Sequence, residues 1–212
     1  MSFLQILPLA FVMIAGPQIV SSFFLATSEG WGRNSLSYVA GAAISITAFT
    51  TAAYLVARGA KSAAGTKHAD TADTVIEAVI LALLLILAAR TFLTRKTSKP
   101  PKWMGKLQTA TPKMAFGLGL LLLGVFPTDI LTSVTAGLHV GHKEDAWWQI
   151  LPFVGTTLLL LGFPAILVLL LGRRADVVLP RIRDWMNTNS WVISEIVLVF
   201  FSAITINSLV SG

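Results

Sequence analysis

Cysteine is missing altogether from this chain, and acidic residues are few. Without Cys there are no disulfides, thiolate metal sites, iron–sulfur clusters or thiol relays. Charged residues of either sign fill only 12% of the 212 positions, about half the share of an ordinary soluble domain. With 55% apolar residues and a mean hydropathy of +0.76, the chain is neither disordered nor an ordinary soluble globule. No polar stretch is long enough to form a separate soluble domain. The phosphate-binding Gly-rich loop, the HExxH zinc motif and the G-x-S-x-G nucleophile elbow are all missing. The expectation is therefore a chain that is no enzyme, holds no cofactor and does not drive transport by ATP hydrolysis on its own.

What is present is the composition of an all-α polytopic membrane protein. Six apolar runs reach the ~20 residues that span a hydrocarbon core, at 3–27, 35–57, 74–93, 114–138, 146–171 and 190–210. The runs are continuous and rich in Leu and Ala, which favours helices over a barrel with its alternating pattern. The first run lacks a basic start, since no Lys or Arg precedes Arg33, and Pro17 falls inside it. It is expected to be a retained spanning helix and not a signal peptide.

The formal net charge is +6. In a membrane protein that excess points to topology and to anionic lipid, and the short basic loops argue against nucleic acid. The loops after the first, third and fifth helices must share one side. They hold Arg33, then seven basic residues from Arg90 to Lys113, then four from Arg173 to Arg183. The opposite side holds four, Arg58, Lys61, Lys67 and Lys143. The richer side is expected to be cytoplasmic, in a cell membrane, with both termini outside. Single cysteines at Ser2, Ser98 and Ser211 test this in a chain with no others. An impermeant thiol reagent on intact cells should label the first and last, and labelling of Ser98→Cys alone would invert the orientation.

The two halves resemble each other. Gly16-Pro17-Gln18-Ile19-Val20-Ser21-Ser22 matches Phe126-Pro127-Thr128-Asp129-Ile130-Leu131-Thr132, offset by 110. Gly41 matches Gly155, and the segment around Glu77 matches that around Glu195. With three helices in each half, the pattern predicts two inverted repeats, 1–95 and 114–212, joined by a basic cytoplasmic linker at 96–113. All of it forms one membrane domain, 1–212.

Pro17 and Pro127 lie mid-span. A proline there removes a backbone donor and leaves a carbonyl that needs a partner. In inverted-repeat transporters, paired broken helices mark the substrate site at the midplane; a kink that only shapes packing is the alternative. Polar neighbours of the pair are Gln18, Ser21, Ser22, Thr128, Asp129, Thr132 and Ser133. Asp129 is the sharpest candidate, because a carboxylate at the bilayer centre costs about 3 kcal/mol or more. It should face the bundle interior, as a proton carrier, a cation partner or an acceptor for substrate hydroxyls; the alternative is a structural hydrogen bond. Glu77 and Glu195 are symmetric candidates for outer and inner gates or proton relays. Both also lie near helix N-termini, where a carboxylate complements the dipole.

The segment from His139 to Asp145, with two His and two further carboxylates counting Glu144, reads as a solvated outer loop and not as a metal site. Lys102, Trp103 and Lys106 in the linker, and Arg181, Arg183 and Trp185 after the fifth helix, place Trp beside basic residues. That combination suits short helices at the headgroup level that contact anionic lipid or recruit a cytoplasmic partner.

The chain resembles the peptidoglycolipid-addressing (GAP), or sulfolipid-addressing, proteins of the lysine-exporter (LysE) superfamily. The resemblance rests on Ala15-Gly16-Pro17, Arg33-Asn34-Ser35, Pro101-Lys102-Trp103-Met104, Thr111-Pro112-Lys113-Met114, Phe126-Pro127-Thr128-Asp129 and Asp184-Trp185-Met186-Asn187. It implies six helices in two repeats and the movement of cell-envelope glycolipids to the surface of mycobacteria and related actinobacteria. The paired acidic motifs of the cation-exchanging branches are not matched here, because the position aligned with Asp129 is Ile19. Three functions remain open. One is a transporter or flippase-like factor that exports a glycolipid, with coupling to protons. Another is a small-solute or cation exporter. The third is a scaffold for envelope-lipid synthesis or export proteins. Homo-oligomers fit any of them.

Overall fold

A computed structural model describes residues 3–14, 16–64, 93, 102–143, 145–175, 177–185, 189 and 199. Among these every regular element is helical. The helices are α1 (Phe3–Ile14), α2 (Pro17–Ala26), α3 (Trp31–Ala64), α4 (Pro112–Val125), α5 (Pro127–His142) and α6 (Leu151–Leu171). A seventh, α7, runs over 177–185. Short 3-10 turns cover Lys102–Thr109, Trp147–Ile150 and Gly172–Arg174. Apart from residues 93 and 199, the third and sixth expected spans, with Glu77 and Glu195, lie outside the described residues.

Trp31–Gly59 and Trp147–Leu171 are long and apolar enough to cross a membrane, and α4 with α5 meets the same length and hydropathy as a pair bent by 69°, the geometry of a broken span or a re-entrant loop. These helices make the chain a membrane protein. At ~1.5 Å per residue, the 34 residues of α3 outrun the hydrocarbon core. Two expected spans are not continuous. The first divides into α1 and α2 at residues 15–16, and the fourth into α4 and α5 at Phe126. The fourth also runs on to His142, so His139 and His142 lie one turn apart on a helix and not in a loop. No Gly-Pro or Asn-Gly signal stops it at Leu138. It ends instead where the Lys143 and Asp145 amides donate back to His139 O and Val140 O, each at 3.2 Å.

Between helices in lipid the hydrophobic effect vanishes, and close contact replaces it. α3 packs most extensively on α4 and α5, and glycines set the distance. A Cβ on Gly41 would overlap the Phe116 carbonyl oxygen, and one on Gly119 the Tyr38 carbonyl oxygen. Further along, Gly137 abuts Thr50 O and Gly141 abuts Tyr54 and Ala57. Gly137 and Gly141 form a GxxxG pair, a spacing that puts both on one face. Gly155 meets nothing within 4 Å, unlike Gly41, with which the sequence pairs it.

The loops sort to two ends. At one, the Glu29 amide donates to Gln108 O at 3.3 Å. There Asn34 Nδ2 is shared between Ser28 Oγ, Glu29 O and Ala110 O at 2.9–3.0 Å. Arg183 reaches Thr27 at the same end. The turn after α2, the linker and the segment after α6 thus meet, as the orientation of the loops requires. At the other end, Tyr54 donates to Asp145 O at 3.1 Å and Trp147 to Thr51 Oγ1 at 3.1 Å.

Candidate functional site

Each break has a local cause. A residue before proline is driven out of the α region by the proline Cδ. Phe126 accordingly takes φ −66° and ψ 124°, ending α4 and capping α5. Gly16 adopts φ 156° and ψ −147°, a conformation reserved for glycine. Its missing Cβ also leaves room for Gln18, whose Oε1 would lie 2.8 Å from it. Both prolines then occupy the first helical turn, where a missing N–H costs nothing. The helix is interrupted at both prolines and does not run on through a kink.

The breaks meet inside the bundle. Gln18 Nε2 donates to Asp129 Oδ2 at 2.5 Å, across 111 residues of sequence. Gln18 is 2% exposed and Asp129 1%. Asp129 therefore does not sit in the middle of a continuous helix. It lies in the first turn of α5, where the unpaired N–H groups and the helix dipole favour a negative charge. Thr128 Oγ1 stands 3.5 Å from Asp129 Oδ1. Thr132 and Ser21 donate back to Thr128 O and Pro17 O at 2.7 and 2.6 Å, so these hydroxyls stiffen the two first turns. Pro17 is half-buried and Pro127 exposed.

Two more residues complete the site: Tyr38, which lies outside the expected set, and Ser22, one of the expected polar neighbours. Tyr38 of α3, fully buried, donates its hydroxyl to Gln18 O at 2.9 Å. A buried Tyr needs such a partner, so a tyrosine within an apolar run was the available signal. Ser22 donates to Leu161 O on α6. That carbonyl neighbours Leu160 O, which Pro164 inside α6 leaves without its usual donor. Gln18 Oε1 is itself buried with no hydrogen-bond partner. A donor-free amide oxygen beside a carboxylate is an acceptor-rich spot, suited to a hydroxyl, a water or a proton on the carboxyl group.

The expected interface residues are distributed more loosely. Lys102, Trp103 and Lys106 fall in the 3-10 turn Lys102–Thr109, and Lys106 is exposed. Arg181 and Trp185 on α7 are exposed, whereas the Arg183 side chain is 14% exposed and packs on Phe24.

No curated protein and no solved structure matches the chain. The family model described as Sap, sulfolipid-1-addressing protein, matches residues 6–209. That match spans nearly the whole chain, and both breaks and Asp129 fall within it; the chain belongs to the sulfolipid-1-addressing protein family.

Proposed function

We propose that the chain is a transporter or flippase-like factor of the cell membrane that exports an anionic envelope glycolipid. Its family's name points to a sulfolipid as cargo. The observation that carries the mechanism is the Gln18–Asp129 bond, which joins two broken helices in the bundle interior. The polar headgroup passes along Gln18, Thr128 and Asp129 while the acyl chains stay in lipid. In the present arrangement both residues of the bond are sealed from solvent, which corresponds to an occluded state. Opening to either side parts Gln18 from Asp129, and the freed carboxylate takes up a proton or a headgroup hydroxyl. Asp129 is then the coupling group, because an interior carboxylate is retained against its desolvation cost only if something offsets it.

The direct test is the lipid composition of the cell surface in a strain lacking the chain. One anionic glycolipid should fall at the surface and accumulate in the remaining cell lipid. An unchanged surface profile would sink the export assignment. A pure scaffold gives the same surface loss but is indifferent to Asp129.

A further inference from the structure

Where α2 ends, a cavity of about 180 Å³ opens between three segments. Thr27, Ser28 and Trp31 line it from the turn into α3, Val168 from α6, and Ala175 and Leu179 from the chain beyond. Arg183 is not part of this lining; it stands beside it, one turn past Leu179 on α7 and bonded to the lining residue Thr27. Its guanidinium donates to Thr27 Oγ1 at 3.4 Å and sits 5.0 Å from the centroid of the Phe24 ring. Thr27 is fixed in turn to Phe23 O and Phe24 O at 3.1 and 3.0 Å. The Nε–Nη2 edge of the guanidinium donates to Asp184 Oδ1 at 2.9 and 2.8 Å.

These parts differ in what they recognise. The guanidinium is a planar fork that matches a sulfate or phosphate oxyanion. An indole suits a sugar ring, and the aliphatic wall suits the start of an acyl chain. Asp184 is 67% exposed, so its carboxylate holds the guanidinium in a weak, solvent-screened pair that an incoming anion displaces. We infer that this cavity binds the anionic headgroup of a membrane lipid, with its sulfate or phosphate ester on Arg183. It is a loading station, separated from Gln18 by the remaining length of α2, about 13 Å along the helix. Its role in export rests on the function proposed above; its lipid binding does not.

The test uses the full chain in detergent, with native mass spectrometry of retained lipid. Phosphatidylglycerol should be retained over phosphatidylcholine. Arg183→Gln should lower phosphatidylglycerol retention by about tenfold and leave phosphatidylcholine unchanged. Lys113→Gln, exposed in the first turn of α4, should leave both near the wild-type value. Val168→Trp, which fills the cavity without changing charge, should lower phosphatidylglycerol as well. Equal effects of Arg183→Gln and Lys113→Gln would reduce the cavity to a diffuse basic surface and overturn the inference. So would inorganic sulfate competing as well as the lipid, which would mark a site for a free oxyanion. If Arg183→Gln is silent while Asp129→Asn still abolishes surface delivery, only the cavity falls. If lipid retention drops as expected but a strain lacking the chain exports normally, the cavity stands and the export assignment falls.

Discussion

Asp129→Asn should leave a folded, inserted protein that no longer delivers glycolipid to the surface. Asn keeps the size and one acceptor oxygen, so Gln18 Nε2 retains a partner at the junction of α2 and α5. Tyr38 still holds Gln18 O from α3. What is lost is the negative charge and the ability to cycle a proton. Interhelical hydrogen bonds in membranes are worth about 0.6 kcal/mol on average, so the fold should barely register the change. Loss of a coupling charge acts on every turnover, and surface delivery should fall by at least about tenfold, the equivalent of 1.4 kcal/mol on a barrier. The measurement is surface glycolipid in a deletion strain complemented with each variant at matched protein level. Full rescue by Asn would leave Asp129 with a packing role alone.

Gly41→Ala and Gly119→Ala should damage the fold itself. The added methyl lands on a backbone carbonyl oxygen in each case, Phe116 O for Gly41 and Tyr38 O for Gly119. A flexible side chain could turn aside, but backbone in a helix cannot move without its neighbours. Overpacking of this kind costs about 1–3 kcal/mol and sometimes more, and here it forces α3 away from α4 along the seam that holds Tyr38 in place. Gly41→Leu should prevent assembly. The matched control is Gly155→Ala, which enters open space and should even gain a few tenths of a kcal/mol from helix propensity. Survival of monodisperse protein after heating in detergent ranks the variants. A Gly41→Ala protein as heat-resistant as the wild type would mean that the helices stand further apart than described.

Local rules explain which of these features the sequence displays openly. The breaks at Pro17 and Pro127 follow from what proline does to the residue before it, and that needs no tertiary information. Asp129 stands out because a carboxylate in an apolar run is expensive wherever it points. Its partner does not stand out. Gln18 and Asp129 are 111 residues apart, and the alignment of the halves pairs Asp129 with Ile19, so nothing local couples the two. Arg183 reads as one more charge in a basic loop; only the approach of α7 to the end of α2 gives it Thr27 and Phe24. The Gly137-x-x-x-Gly141 spacing, by contrast, is a visible packing motif. It marks the face of α5 that α3 covers.

The backbone contacts of α3 carry a mechanical consequence. Because its glycine seam reaches α4 through Gly41 and Gly119, and α5 through Gly137 and Gly141, the bent pair is splinted on both sides of its 69° elbow. The close backbone contacts favour movement of these three helices as one unit. α2 has no such glycine seam. It is packed through buried side chains from Gln18 to Ala26, bonded to its neighbours by Tyr38, Ser22 and Gln18, and it follows Gly16, whose backbone can swing where other residues cannot. Under the export function proposed above, movement therefore falls to α2, a ten-residue lever that meets the Asp129 carboxylate through Gln18 at one end and the cavity beside Arg183 at the other.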